Sequence, residues 1–266
     1  MTSRNTIFLY TKNDIESLEK KDVLADAIQS YGFQVVDNHQ DASIIVSIGT
    51  DGSFLQAVRK TGFRQDCLYA GISTTGTLSM YCDFLIEDIE AMADAVLNDQ
   101  IKVRKYPLME ISVNHNPKFY CLNEFAIRSN IIKTFVLDII IDDKLFETFR
   151  GDGMVISTPT GSSAYNKSLN GAVVDPLLPC IQVTEIASVN SNEFRTLGTS
   201  FILSGKRSLE LRLHKDWNDY PSMSTDNEAL SIQHVETVSI ALSNKIIKTV
   251  KLKDNSYWEK VKRSFL

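Results

Sequence analysis

Residues 150–176 read RGDGMVISTPTGSSAYNKSLNGAVVDP, and this run carries more information than any other in the chain. Two glycines flank Asp152, an apolar strand follows, and Thr158-Pro159-Thr160-Gly161-Ser162-Ser163-Ala164-Tyr165 turns the chain. Asp175 then stands before a proline. A tight loop so dense in Gly, Ser and Thr presents backbone N–H groups and hydroxyls, the donors that bind phosphates, riboses and base edges. A short Ser/Gly stretch is ordinarily a plain surface turn. A run of this length, with two partner motifs upstream, is not.

The first partner is residues 44–53, IIVSIGTDGS. Five apolar or small residues read as a buried, parallel-type strand, and Gly49-Thr50-Asp51-Gly52-Ser53 as an abrupt turn into a helix expected to begin near Phe54. Glycines let the backbone approach a ligand closely, and a helix start offers free N–H groups to anions. An acid in an anion-binding turn repels the anion, so Asp51 needs another task. It can accept a proton from an attacking hydroxyl, or help to hold a metal ion. The second partner is Leu122-Asn123-Glu124-Phe125. Neighbouring strand residues point to opposite faces, so at least one of the two polar side chains is buried unless the strand ends there, and a buried acid or amide needs partners. Alone, Asn-Glu is more often a structural turn.

The 266 residues suit one large or two modest domains, and 43% hydrophobic content is ample for real cores. A net charge of −5, with no basic patch interleaved with aromatics, speaks against nucleic acid as a partner. Attraction of an anionic ligand must then be local. Cys67, Cys82, Cys121 and Cys180 are scattered without a C-x-x-C pair, which argues for reduced thiols and against a zinc site or disulfide framework. The four histidines are equally dispersed and read as structural or surface residues. No signal peptide is read at the start, and no apolar run approaches the roughly 18–20 residues needed to span a bilayer. A cytoplasmic protein with no membrane partner is expected.

Along the first hundred residues strands and helices alternate. Residues 6–10, 33–36, 44–48 and 68–72 read as strands. A helix capped by Asn13 or Asp14 and stopped by Gly32 places Ile15, Leu18, Val23, Ala27 and Ile28 towards one face. Residues 54–60 and 86–98 read as further helices. This alternation predicts a Rossmann-like α/β domain with a parallel sheet, its ligands beyond the carboxyl ends of the strands, where residues 49–53 lie. After Arg104-Lys105-Tyr106-Pro107 the texture becomes strand-rich. Residues 208–214 alternate strictly, 135–141 and 145–149 form a hairpin about Asp142-Asp143-Lys144, and 235–242 is another strand. An antiparallel β-sandwich is expected there. Tyr257, Trp258, Val261 and Phe265 form an apolar stripe on a last helix, among Glu259, Lys260, Lys262 and Arg263. The expected domains are residues 1–103 with 250–266, and residues 104–249.

In this order and spacing the three motifs resemble the NAD kinase family. That family carries Gly-Gly-Asp-Gly, then Asn-Glu, then a Gly-Asp-Gly block continuing through Ser-Thr-Pro-x-Gly-Ser/Thr-x-Ala-Tyr. The likeness extends over nearly the whole chain. It takes in Gly76-Thr77-Leu78 with Tyr81, Ala187-Ser188-Val189-Asn190 with Phe194-Arg195, and Ser224-Thr225-Asp226-Asn227. Thr50 replaces the second glycine of the first motif, Ser53 its usual threonine, and Asn227 the last glycine of the final one. The chain is most similar to the more divergent of the two versions that low-GC Gram-positive bacteria of the Bacillus and Listeria type often carry.

The resemblance implies a two-domain fold, an N-terminal α/β domain and a C-terminal β-sandwich that binds NAD and mediates oligomerisation, with the last helix returning to the first domain. It implies transfer of the terminal phosphoryl of ATP, another triphosphate or polyphosphate to the 2′-hydroxyl of the adenosine ribose of NAD. Asp51 would be the base, and Gly49, Gly52 and Ser53 would meet the donor phosphates. Met80, Tyr81, Asn123, Glu124 and Asp226 would hold NAD beside Asp51 and Gly52. Thr158, Ser163, Ala164 and Tyr165 would line its pocket. Arg150 would also bind NAD, and Asp152, Ser168, Ala187 and Val189 would meet the nicotinamide half. Mg²⁺ or another divalent cation would arrive with ATP, with no dedicated protein cage. A homotetramer or homodimer is implied, in which Asp152 serves a neighbour's NAD. Two rivals stay open at this point. A lipid kinase shares the glycine turn, though no amphipathic segment with a basic face is present. A non-catalytic NAD(P) sensor would follow if Thr50 spoils the turn.

Overall fold

The computed structural model describes residues 6–98, 100–131, 133–214, 221–253 and 255–266. The chain divides into two compact units, Met1–Tyr106 with Ile246–Leu266, and Pro107–Lys245.

In the first unit β1 (Thr6–Tyr10), β2 (Gln34–Val35), β3 (Ile44–Gly49), β4 (Leu68–Ser73) and β5 (Cys82–Leu85) pair in the order β2-β1-β3-β4-β5. These pairings are all parallel, and the β1–β2 and β3–β4 connections are the helical crossovers that parallel neighbours usually need. The crossovers are α1 (Ile15–Ser30) and α2 (Asp51–Lys60), and α3 (Ile89–Leu97) follows β5. All six residues of β4 are buried, the continuous apolar reading of a strand covered on both faces. Asp14 caps α1 by accepting from the Ser17 N–H at 2.9 Å. The buried face of α1 differs from the expected one: Leu24 and Ile28 are inward, while Ile15 is 79% and Val23 63% exposed. At 100° per residue Leu24 and Ile28 lie close together, and Ile15 lies on the opposite side of the helix.

The second unit holds most of the remaining strands: β6 (Ile101–Val113), β7 (Phe119–Cys121), β8 (Glu124–Arg128), β9 (Phe135–Ile141) and β10 (Lys144–Gly151). Next come β11 (Gly153–Ser157), β12 (Cys180–Ile186), β13 (Phe201–Ser204) and β14 (Leu209–Leu213). The last are β15 (Ser222–Thr225), β16 (Glu228–Leu230) and β17 (Thr237–Leu252), with α4 (Tyr165–Ser168) as a single helical turn. One antiparallel layer runs β13-β12-β11-β8-β15-β16 and the other β10-β9-β14-β17. Their facing side chains, among them Phe125, Ile156 and Val183 against Leu137, Leu211 and Val238, make one core. The strict alternation at Leu209–Leu213 buries all three leucines, and the β9–β10 hairpin turns on Asp142 and Asp143, both at positive φ (49° and 63°). Such a left-handed pair gives the twist a two-residue hairpin needs.

The final helix, α5 (Tyr257–Phe265), belongs to the first unit. Its expected apolar stripe is only partly inward. Tyr257 is buried, Trp258 is 49% exposed, and Lys260 is fully buried.

Candidate functional site

The turn after β3 owes its shape to two adjacent residues with opposite demands. Gly49 has φ +139°, and a Cβ there would lie 2.4 Å from Ser53 Oγ. Thr50, by contrast, has φ −113° and ψ 178°, extended backbone that a β-branched residue prefers. It is the N-cap of α2, and its N–H donates to Ser53 Oγ at 3.3 Å. The helix therefore starts at Asp51, three residues before the sequence-based boundary, because the cap is formed inside the motif itself. Ser53 is buried, its hydroxyl committed to that cap. Gly52 sits in the first turn of α2, at the positive end of the helix dipole.

Asp51 is held by one short segment. Ser79 Oγ donates to Asp51 Oδ1 at 2.6 Å, the Tyr81 N–H to the same oxygen at 2.7 Å, and the Met80 N–H to Oδ2 at 3.1 Å. Oδ1 thus has two donors and Oδ2 one, which leaves Oδ2 with acceptor capacity for a further hydroxyl. Tyr81 contributes through its backbone. Its ring is buried, stacked on Phe54 (4.9 Å, 3°) and edge-on to Tyr106 (5.8 Å, 85°). Ser79 lies between Gly76-Thr77-Leu78 and Tyr81, and nothing in the sequence alone singles it out.

In the second unit the Asn-Glu pair and the long block come together. Asn123 and Glu124 are both buried, each 7% exposed. Asp226, at φ +51°, accepts from the Leu122 and Asn123 N–H groups (3.1 and 2.6 Å), and its own N–H donates to the Glu124 carbonyl at 2.8 Å. Thr158 Oγ1 donates to the Leu122 carbonyl at 2.6 Å and accepts from the Gly161 N–H at 3.0 Å, so this hydroxyl locks the turn to β8. Gly161 is obligatory there: a Cβ would stand 2.0 Å from the Asn123 carbonyl oxygen. Ser163 Oγ donates to the Thr160 carbonyl at 3.1 Å.

Within these motifs three polar atoms have capacity for a ligand. Glu124 Oε2, Ser157 Oγ and Thr160 Oγ1 are buried without a hydrogen-bond partner. Glu124 and Ser157 are paired in register across β8 and β11, so their side chains share the face opposite the sandwich core. Burial, reinforced by the negative charge of Asp226, pushes the Glu124 carboxyl up to about 8. At neutral pH it is largely protonated, and offers a donor and an acceptor at once. Beside it the small side chains of Ala126 and Val155 pack with Ile186, Tyr165 and Leu169. Ala164 and Tyr165 are half-buried, and Ser168 is exposed.

The Gly-Asp-Gly turn is fixed by backbone crowding. A Cβ on Gly151 would lie 2.8 Å from the Ile186 carbonyl oxygen, and Gly153 has φ +155°. Asp152 is exposed between them, its N–H donating to the Ile186 carbonyl at 2.9 Å. The Arg150 guanidinium lies over the Phe194 ring at 4.0 Å, and the Arg150 carbonyl accepts from the Val189 N–H at 2.7 Å. Ala187 (φ +47°) and Val189 are both exposed on this loop. Sequence reasoning missed Asn166, which is fully buried. It donates to the Ser162 and Ala172 carbonyls (3.1 and 3.3 Å) and accepts from Thr184 Oγ1 at 2.6 Å, pinning the long loop to β12. Nothing in a lone Asn separates that role from a surface one. Among the described residues no group of three or more His, Cys, Asp or Glu is placed to hold a metal ion. No described helix is long and apolar enough to cross a membrane.

Residues 122–252 match the family model of the ATP-NAD kinase C-terminal domain. Over 263 residues the chain is 59% identical to NAD kinase 2 of Bacillus subtilis, covering 99% of this chain and 98% of that one. It is 54% identical, with the same coverage, to NAD kinase 2 of Geobacillus kaustophilus. Among solved structures, yeast NADH kinase complexed with NADH superimposes with a TM-score of 0.82 at 19% identity, covering 98% of this chain and 88% of that chain. An NAD kinase from Archaeoglobus fulgidus in complex with ATP gives 0.75 at 22% identity, with 97% of each chain covered. At those identities the two structures bear on the fold alone.

Proposed function

The chain belongs to the NAD kinase family, and from that premise we propose how its residues carry the reaction. The terminal phosphoryl of ATP passes to the 2′-hydroxyl of the adenosine ribose of NAD, giving NADP and releasing ADP. Other triphosphates and polyphosphate are alternative donors. Asp51 takes the hydroxyl proton on Oδ2 as the ribose oxygen attacks. General-base assistance of this kind is worth roughly 10²–10⁴ in rate, and positioning with charge stabilisation supplies much of the rest. The observation that carries the assignment is the cradle of residues 79–81. It fixes the carboxylate with three donors and leaves Oδ2 an open acceptor site.

Gly49, Gly52 and the start of α2 cradle the donor phosphates, with Ser53 shaping the turn. Asn123 and Glu124 hold the adenosine through its base edge and ribose hydroxyls, in the pocket formed by Thr158, Ser163, Ala164 and Tyr165. Asp226 sets the Asn-Glu backbone. Arg150 also binds NAD, and Asp152, Ser168, Ala187 and Val189 meet the nicotinamide half. A divalent cation, Mg²⁺ by preference, would accompany the triphosphate and supply charge neutralisation there, without a dedicated protein cage. The protein is read as cytoplasmic and as a homodimer or homotetramer. Purified protein incubated with NAD, Mg²⁺ and ATP, other triphosphates or polyphosphate tests the assignment: NADP should accumulate with at least one donor. A preparation that binds NADP yet forms none would be a sensor instead.

A further inference from the structure

One buried cation has no part in that mechanism as described. Lys260, in α5, is fully buried, and burial pushes its ammonium down to about 8 against the pull of Asp83. Taking an ammonium out of water is costly, and an apolar side chain of similar length would fill the space without that cost. Its Nζ donates to Asp83 Oδ2 at 2.8 Å and to the Met80 carbonyl at 2.8 Å. Asp83 does not depend on it, since Arg104 (3.3 Å) and Asn255 Nδ2 (2.7 Å) also donate to that carboxylate.

The contact with Met80 has the larger consequence. The Met80 carbonyl and the Tyr81 N–H belong to one planar peptide unit, so the orientation of one fixes that of the other. Lys260 holds the carbonyl end, and the N–H end donates to Asp51 Oδ1 at 2.7 Å. An ammonium on the carbonyl also polarises the peptide and strengthens its N–H as a donor. The same helix grips the segment again where Arg263 Nε donates to the Leu78 carbonyl at 3.3 Å. We propose that Lys260 is a positioning residue for phosphoryl transfer, fixing the Asp51 carboxylate through the Met80–Tyr81 peptide.

The inference rests on Asp51 being the proton acceptor. In Lys260→Met, Asp83 keeps Arg104 and Asn255, so the fold should persist. The expected result is a fall in kcat of about tenfold or more, with KM for NAD and ATP within about twofold, as loss of a carboxylate's alignment predicts. Unchanged kcat, or a loss confined to KM, overturns the proposal. Should Lys260→Met be too unstable to assay, Asp83→Asn/Lys260→Met removes the buried carboxylate together with its ammonium. There the proposal expects Tm to recover and kcat to stay low, and recovery of both overturns it. Asp51→Asn separates the two levels. If that variant turns over normally, the base assignment itself fails, whereas an inactive Asp51→Asn beside a fully active Lys260→Met removes only the role of Lys260.

Discussion

The first motif shows how little a single departure means until its backbone is known. Thr50, standing where the family has glycine, is an extended N-cap, and the glycine the turn requires is Gly49. Thr50→Gly should therefore leave turnover intact and cost only a few tenths of a kcal/mol in stability. Gly49→Ala should cost about 1–3 kcal/mol through positive φ alone, and lose most activity as Ser53 is displaced. Equal effects of the two in a thermal melt and a rate assay would contradict this division. The motif was legible as residue types, but the assignment of strain to Gly49 needed dihedral angles. Glu124 was legible only as a polar residue needing partners, because its shift arises from burial and from Asp226, about a hundred positions away in sequence. A carboxyl raised from 4.5 to about 8 contributes stability that is fully present below the lower value and is lost as pH rises through the upper one. Between pH 5 and 8 the wild-type Tm should carry this falling component, and Glu124→Gln should lack it. Parallel Tm curves for the two proteins would contradict the buried, raised carboxyl.

At the scale of elements, periodicity found what repeats and missed what is decided by neighbours. The leucines of β14 and the Asp142-Asp143 hairpin followed from alternation and turn chemistry. The inward face of α1 did not follow, since few apolar residues there fall on one stripe, and in α5 the stripe is present but only Tyr257 of it is buried, beside Lys260. Lys260 reads as a solvent residue in any helical wheel, and only Asp83 and the Met80 carbonyl draw it inward. The approach of the Asn-Glu strand to the Thr-Pro-Thr-Gly turn also depends on tertiary contact, at Gly161. Gly161→Ala should force β8 and this turn apart, lowering stability by about 1–3 kcal/mol and raising KM for NAD more than it lowers kcat. An unchanged KM would mean that the contact between the two motifs does not shape the NAD pocket.

For the whole molecule, the composition of each half announced its class: alternating strands and helices became a parallel sheet, and the strand-rich remainder an antiparallel sandwich. Assembly leaves a weaker trace in sequence, and the exposed Asp152 is the residue through which it can be tested. If Asp152 serves a neighbour's NAD, Asp51→Asn and Asp152→Asn, each inactive alone, should regain activity when refolded together, because some sites then draw both acids from different chains. Mixed oligomers as inactive as their parents would contradict the shared site. The account's central claim, that Asp51 is the base of an NAD kinase, meets its most direct test in Asp51→Asn, with NAD affinity and kcat measured on the same preparation. The amide keeps the shape of the side chain, so NAD should bind within about threefold of wild type while kcat falls by roughly 10²–10⁴. A variant that binds NAD normally and makes NADP at the wild-type rate would contradict the claim.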